Sequence, residues 1–596
     1  MASRKVPWRP FLLAVCAFVM ALTLRISNAP IAFADGVPLL TPLDELYHWK
    51  RITWSAQHWP TVLEFDRDRG VQGAFCPWPP LYDFAAGTAA RLRGARLPAD
   101  VLAQVAWFPP ILGALFVAIA TGLLARHADL RVAIASGIAL AASPFVATQC
   151  WIGSIDHHFL EWPLTFAVLG ATCLALRGTD RRSALIAGIL LGAAITAAMF
   201  AQTALLVAAA LAFAILFFFS DGKAAAIGFG IAAMAIVIYR VTRPLSYPDS
   251  QWFLGYTHVA LFAGAAAASL LQRRNRIVAL ALGVAVVAAV PTALGSIIDG
   301  VHFFGGDNWL RTIAEFQPLW KARGADLASY GAGLSTGAIL VWPLAARSIR
   351  RRDTIAGAVA LFAIVHLALT ISSRRFSDAS IPLLALAGAM FAASISRPKL
   401  AMLALAAVAI PPAVQFVLWM QHPEPPVTVQ RAPWLRAATF LQGQHEPGRV
   451  LAPWSMGHAI DVIGERPVIV DSFGTMPDPI TFERAYDAYL ARREDALVQY
   501  CRASGVRYVV IENPVSGLQL AATVLGIDSA NYVRITGGMP PFVVTRLAQS
   551  TWWWHAYFRR SLQRFQLVYS DPQLYAAETP FQGPALMIWE FRDRVR

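Results

Sequence analysis

Thirteen apolar runs fill most of the first 420 residues, and that repetition restricts the chain to one kind of fold. They lie at approximately 10–27, 101–125, 132–149, 159–176, 183–199, 201–219, 224–239, 253–272, 277–297, 329–346, 355–371, 380–396 and 400–420. Each is close to the roughly 20 residues that an α-helix needs to cross a bilayer. The whole chain is 57% hydrophobic and only 14% charged, far too apolar for a soluble domain. The expected fold class is a polytopic α-helical membrane protein with about 13 transmembrane helices. The first run has basic flanks like a signal peptide but lacks a convincing small-residue cleavage site, so it reads as a retained span.

A net charge of +14 could suit a nucleic-acid partner, but its placement does not. The short breaks around Arg4, Arg126, Arg177, Lys223, Arg273, Arg347 and Arg397 together hold eighteen basic residues and four acids, which is the whole excess. Such a bias marks cytoplasmic loops, and no nucleic-acid partner is expected. Alternation then puts 28–100, 150–158, a turn near 200, 240–252, 298–328, 372–379 and everything after 420 outside. The expected location is a cell (inner) membrane, with the C-terminal domain extracytoplasmic.

Three domains follow. Residues 1–420 form the membrane domain, with large outer loops at 28–100 and 298–328. Residues 421–433 begin with Gln421-His-Pro-Glu-Pro-Pro426 and read as a Pro-rich linker. Residues 434–596 form a mixed α/β domain, with strands at 449–451, 467–470 and 506–511 and a helix over 481–504. Trp552-Trp-Trp554 reads as domain core, with a membrane-interface anchor as the alternative. The five cysteines show no metal or disulfide spacing; a Cys76–Cys150 bridge between outer loops has weak support.

Chemistry concentrates in the outer loops. Asp44 and Glu45 follow the first span and would otherwise serve as helix N-terminal charge after Thr41-Pro42. Trp151-Ile-Gly-Ser-Ile-Asp-His-His-Phe-Leu-Glu-Trp162 joins two apolar runs and sets a carboxylate and imidazoles at the membrane edge, where ionisable groups are costly. Asp156 and His158 share one side only if the backbone is extended there, with His157 pointing away; the competing reading makes Asp156 or Ser154 a helix cap. Glu315 lies in the loop 298–328 and also reads as a solvated carboxylate. Arg374 and Arg375 stand on the outer side against the charge bias, which suits an anionic partner such as phosphate, or else a plain ion pair with Asp378.

Taken in order, these segments resemble the catalytic subunits of oligosaccharyltransferases, especially the archaeal and bacterial single-subunit enzymes. Asp44-Glu-Leu-Tyr-His48 resembles the first acidic motif of that family. Trp78-Pro-Pro-Leu-Tyr-Asp83 resembles the segment that follows it. Gly153-Ser-Ile-Asp-His-His158 resembles the second acidic motif, Thr312-Ile-Ala-Glu315 the loop-five Glu motif, and Arg375-Phe376 the Arg-Phe after the eleventh span. The resemblance implies a GT-C fold and an inverting glycosyltransferase. Its donor is a glycan on a polyprenyl-(pyro)phosphate carrier, and its acceptor is foremost Asn of a polypeptide on the outer face. A lipid, polysaccharide or hydroxyl acceptor, or a non-catalytic lipid-linked-sugar transporter, are the alternatives. Asp44, Asp156, His158 and Glu315 are then the implied ligands of a divalent metal, Mn²⁺ or Mg²⁺ with Zn²⁺ as a further option. Asp44 and Glu315 would also orient the acceptor amide, and Arg375, with Arg374, would hold the lipid pyrophosphate.

One segment departs from the family. Its Trp-Trp-Asp-Tyr-Gly signature, which reads the Ser/Thr of the acceptor sequon, aligns here with Pro453-Trp-Ser-Met-Gly457. Trp454 is kept, Ser455 replaces the Asp, and His458 follows; these three are the expected acceptor-binding residues. Ser is shorter and uncharged, so the acceptor half differs from the family more than the donor half does.

Overall fold

The computed structural model describes residues 8–34, 36–40, 44–178, 180–302, 307–421, 432–536, 542–558, 562–573 and 583–593. Thr41 and Pro42, and nearly all of the expected linker 421–433, lie outside the described residues. The chain forms two compact units. The first comprises Met1–Pro38, Trp78–Gly305 and Glu315–Pro425; the second comprises Leu39–Pro77, Gly306–Ala314 and Pro426–Arg596. The expected outer loops 28–100 and 298–328 therefore divide between the units.

The first unit is helical, with a helix at every apolar run. Among the described residues, seven helices are long and apolar enough to cross a membrane: Pro98–His127, His157–Arg177, Arg181–Ala201, Lys223–Val241, Thr354–Ser372, Arg374–Ala393 and Pro398–Met420. Leu130–Ala142, Thr203–Phe219 and Tyr256–Leu271 are shorter apolar helices. Two runs expected to be continuous are broken at prolines. Arg276–Ala288 and Pro291–Ile298 are bent by 98°. The run 132–149 divides into Leu130–Ala142 and Pro144–Thr148. A proline offers no amide donor and its ring clashes with the preceding turn, which favours a break at Pro144 and Pro291, although Pro343, Pro382, Pro411 and Pro412 lie inside continuous helices.

Small residues let the helices approach closely. A Cβ on Gly188 would lie 2.8 Å from Ile227, and one on Gly192 would lie 2.7 Å from Ile231, so Arg181–Ala201 and Lys223–Val241 pack backbone to side chain. The acids in the basic breaks also have a local purpose. Asp129, Asp180 and Asp353 cap the helices that follow them, accepting from Arg131, from Arg182 and Ser183, and from Ala356.

The second unit is built on a four-stranded sheet in the order 449–451, 506–512, 586–591, 565–570. The first pair is parallel and the other pairs are antiparallel. The expected strand 467–470 contributes only isolated bridges through Val468 to Arg69 and Val450. The expected helix 481–504 is two helices, Pro479–Tyr489 and Glu494–Ser504. Glu494 and Asp495 supply the acidic first turn of the second one, which favours a fresh start there over continuation. Trp552, Trp553 and Trp554 are all buried, and the Trp553 indole donates to the carbonyl of Glu512 at 2.9 Å, so this triplet is domain core. Cys76 and Cys150 are both buried, and no bridge joins them among the described residues.

Segment 39–77 joins this unit through ion pairs. Lys50 Nζ lies 2.8 Å from Asp66, 2.8 Å from Asp461 and 3.5 Å from Asp68. Three carboxylates thus share one ammonium. Burial, reinforced by Asp66 and Asp68, outweighs Lys50 and pushes Asp461 up to about 7. Since the folded value is raised, retained protonation stabilises fully below the unfolded pKa near 4, and that contribution is lost as pH rises through 7. Thermal unfolding of wild type and Asp461→Asn should therefore show the wild type losing stability relative to the variant between about pH 4 and 7. A difference that does not change over that window would contradict the shared-proton arrangement.

Candidate active site

In the first unit the site begins with a backbone clamp. The Asn28 side chain donates to the carbonyl of Ile152 at 3.0 Å and accepts from its amide at 3.2 Å. The Gly153 amide donates to the Ala106 carbonyl at 3.1 Å, and Gly153 has φ +89°, a left-handed conformation suited to glycine. Ile155 is fully buried. The segment therefore arrives at Asp156 in one fixed, extended conformation, and a short 3₁₀ turn, His157–Leu160, leads from it into the helix Glu161–Arg177.

Asp156 occupies the position of a helix cap, but its side chain makes no cap hydrogen bond. Its two oxygens face the two imidazoles instead: Oδ1 lies 2.9 Å from His157 Nδ1 and Oδ2 lies 3.1 Å from His158 Nε2. His157 does not point away as expected. The turn begins at His157 itself, which swings its ring back to Asp156, with Nε2 2.7 Å from the Gln202 amide and Trp78 alongside at 5.4 Å.

The other side of His158 leads to Glu161. His158 Nδ1 is 3.0 Å from Glu161 Oε1, and the same oxygen accepts from Arg375 Nη2 at 2.5 Å. Arg375 Nη1 reaches Asp378 at 3.3 Å, and its Nε lies 3.8 Å from Glu315. Arg375 stands in the turn Arg374–Phe376 between two long helices, and the Arg374 amide fixes that turn by donating to the Gln317 carbonyl at 3.0 Å. Arg374 and Arg375 are both buried. The ion pair with Asp378 is thus present, as one part of a larger arrangement.

Asp156, His158, Glu315 and Arg375 therefore lie on one chain of polar contacts in the first unit. Glu161 completes it and was not foreseen, although its spacing of three residues from His158 is readable in the sequence. Asp44 belongs to the second unit. The donor set fits a divalent ion of the N/O-binding kind: the oxygens of Asp156 face ring nitrogens of His157 and His158.

In the second unit, Asp44 opens the helix Asp44–Gln57. His458 Nδ1 is 3.6 Å from Asp44, and its Nε2 is 4.0 Å from Asp471. The His458 ring is enclosed, stacked on Tyr47 with centroids 4.8 Å apart and set edge-on to Phe473 at 4.9 Å. Arg69 pairs with Asp471 through two nitrogens and lies over the Phe473 ring at 4.2 Å. Burial works against the charge on Asp471, but Arg69 and then His458 outweigh it and hold this carboxyl below its ordinary value. Trp454 and Ser455 are half-buried. Trp454 lies edge-on to Trp309 at 6.0 Å, and the indole N–H groups of both rings have no hydrogen-bond partner among the described residues.

Trp309 is fixed from below by Gly474. That glycine has φ +54°, and a Cβ there would enter the Trp309 indole. Gly474→Ala should thus be destabilising by roughly 1–3 kcal/mol and displace Trp309. Hydrogen exchange over residues 307–314 and tryptophan emission check this; unchanged exchange would contradict the packing.

Residues 12–266 match the family described as oligosaccharyl transferase STT3, N-terminal. No curated protein matches the chain. Among solved structures, the archaeal oligosaccharyltransferase AglB from Archaeoglobus fulgidus, in complex with an inhibitory peptide and a dolichol-phosphate, is 17% identical with a TM-score of 0.78. That match covers 97% of this chain and 81% of the other. The A. fulgidus oligosaccharyltransferase tethered to an acceptor peptide containing the NVT sequon is 18% identical with a TM-score of 0.76, over 96% and 80% of the two chains. The same enzyme in complex with Zn and sulfate is 18% identical with a TM-score of 0.71, over 94% and 78%. The folds are alike across nearly the whole chain.

Proposed function

We propose that this chain, whose residues 12–266 match the oligosaccharyl transferase STT3 family, transfers a glycan from a polyprenyl-(pyro)phosphate carrier to Asn of a polypeptide at the outer face of a membrane. The observation that carries this reading is the run of contacts from Asp156 through His158 and Glu161 to Arg375, set at the ends of apolar helices. It offers metal-ligand chemistry at one end and a phosphate-binding guanidinium at the other. The A. fulgidus enzyme, whose fold this chain shares, has been solved with a dolichol-phosphate and with a sequon peptide, which supports the same two partners here.

Asp156 and His158 are the metal-facing groups of the first unit, and Mn²⁺ or Mg²⁺ is the expected ion, with Zn²⁺ supported by the relative solved with it. A divalent ion supplies Lewis-acid stabilisation of the departing phosphate. Arg375 binds that phosphate, its guanidinium already oriented by Glu161 and Asp378. The resemblance assigns Asp44 and Glu315 the task of orienting and polarising the acceptor amide. The amide nitrogen bonds to the anomeric carbon as the carbon–oxygen bond to the carrier breaks. The phosphate keeps the electron pair, the nitrogen loses a proton, and the configuration inverts. His458 steadies Asp44 from within the second unit, while Trp454 and Ser455 meet the acceptor. Replacement of the family's Asp by Ser455 removes a charge from that contact and loosens the reading of the sequon.

Purified protein in membranes, given a lipid-linked donor and a fluorescent Asn-X-Thr peptide, should modify the peptide in a metal-dependent way. Asp156→Ala and Glu315→Ala should each reduce the rate by about 100-fold or more, as for loss of a group that stabilises the transition state. Donor turnover without peptide modification would instead point to another acceptor, and an absence of turnover with any metal would remove the enzymatic reading.

A further inference from the structure

Glu161 lies outside every motif that carries the family resemblance, yet it touches both His158 and Arg375. We propose that Glu161 is a positioning residue that sets the metal-facing tautomer of His158 and the orientation of Arg375 through a single carboxylate oxygen. The inference rests on the metal and phosphate roles given above to Asp156, His158 and Arg375.

The geometry is specific. Glu161 is the first residue of the helix Glu161–Arg177 and is buried. A carboxylate in the first turn is favoured by the helix dipole, which lowers the cost of placing it there. Its Oε1 lies 3.0 Å from His158 Nδ1 and 2.5 Å from Arg375 Nη2. A carboxylate at Nδ1 places the ring proton on that nitrogen and leaves the Nε2 lone pair facing outward. Nε2 is the atom that stands 3.1 Å from Asp156 Oδ2. With the ring neutral, two acceptors face each other at that distance, an arrangement that a cation bound to both satisfies. A histidine ligand whose second nitrogen is held by a carboxylate is the usual outer-shell design of metal sites.

Direct ligation by Glu161 is the competing role. Its Oε1 is committed to two donors, one of them a guanidinium, and coordination through that oxygen would release both. The consequence of the positioning role is a coupling: the same oxygen sets how well the ion is held and how Arg375 is presented to the carrier phosphate.

Two substitutions separate these roles. Glu161→Gln keeps an acceptor oxygen for His158 Nδ1 but removes the charge opposite Arg375. Glu161→Leu removes both. Two titrations are made on the full-length protein in nanodiscs: Mn²⁺, followed by electron paramagnetic resonance of the free ion, and a polyprenyl phosphate, followed by its binding isotherm. Neither needs glycosyl transfer. Glu161→Leu should weaken Mn²⁺ binding by about 10- to 100-fold. Glu161→Gln should hold Mn²⁺ within a few-fold of wild type, and both variants should bind the polyprenyl phosphate more weakly. Equal loss of Mn²⁺ in the two variants would identify Glu161 as a ligand and overturn the proposal. So would unchanged Mn²⁺ binding in Glu161→Leu, or unchanged phosphate binding in both. A wild type that binds no Mn²⁺ would overturn it together with the metal reading of the site. Failure of peptide modification with the titrations as expected would strike only the acceptor reading and leave the coupling supported.

Discussion

The buried guanidinium of Arg375 is the interaction on which the donor side of this protein depends. It contacts Glu161 at the start of one long helix, Asp378 in the first turn of another and, at longer range, Glu315 of the same unit. Ion pairs in such surroundings repay little net stability, because desolvation consumes most of the Coulombic gain. Their value is geometric. With a fixed fork of donors, Arg375 can satisfy Glu161 and Asp378 in only one arrangement of the helices that carry them. The acids are then placed before any ligand arrives, which is what electrostatic catalysis requires.

Most of the membrane architecture was legible in the sequence, for a plain physical reason. A helix in lipid must satisfy its own backbone, so each span announces itself as one uninterrupted apolar run. The structure sets a helix at every such run, and it departs from the expectation where Pro144 and Pro291 remove a backbone donor. The strands 449–451 and 506–511 were legible in the same way. The break within 481–504 was not weighed, because an apolar stripe can continue in register across two successive helices while the charged residues Arg492 to Asp495 interrupt the backbone.

The candidate site was legible residue by residue and hidden in its wiring. Asp156, His158, Glu315 and Arg375 could be picked out because ionisable groups beside apolar runs are rare and costly. Their partners could not. The bond between Glu161 and Arg375 joins residues 214 positions apart, and the pair of Lys50 and Asp461 spans 411. No local period or composition encodes such contacts. Glu161 reads as an ordinary acid at a helix start, and Asp461 as an ordinary polar residue on a short helix. His157 shows the opposite failure. A period-two argument sent it away from Asp156, whereas a 3₁₀ turn starting at that residue brings it back.

The two units apply one device to different ends. In the first, Arg375 aligns Glu161, the carboxylate at Nδ1 of His158. In the second, Arg69 neutralises Asp471, which stands on one side of the enclosed His458 ring while Asp44 stands on the other. Each anchors, through a buried arginine, a carboxylate that in turn faces a histidine: Glu161 beside His158 in the first unit and Asp471 beside His458 in the second. This arrangement also accounts for why Ser455 can replace an aspartate without dismantling the second unit. Asp44 is steadied by His458 and the Arg69–Asp471 pair, and none of those contacts passes through residue 455. A change there alters what the acceptor meets and leaves the carboxylate behind it in place.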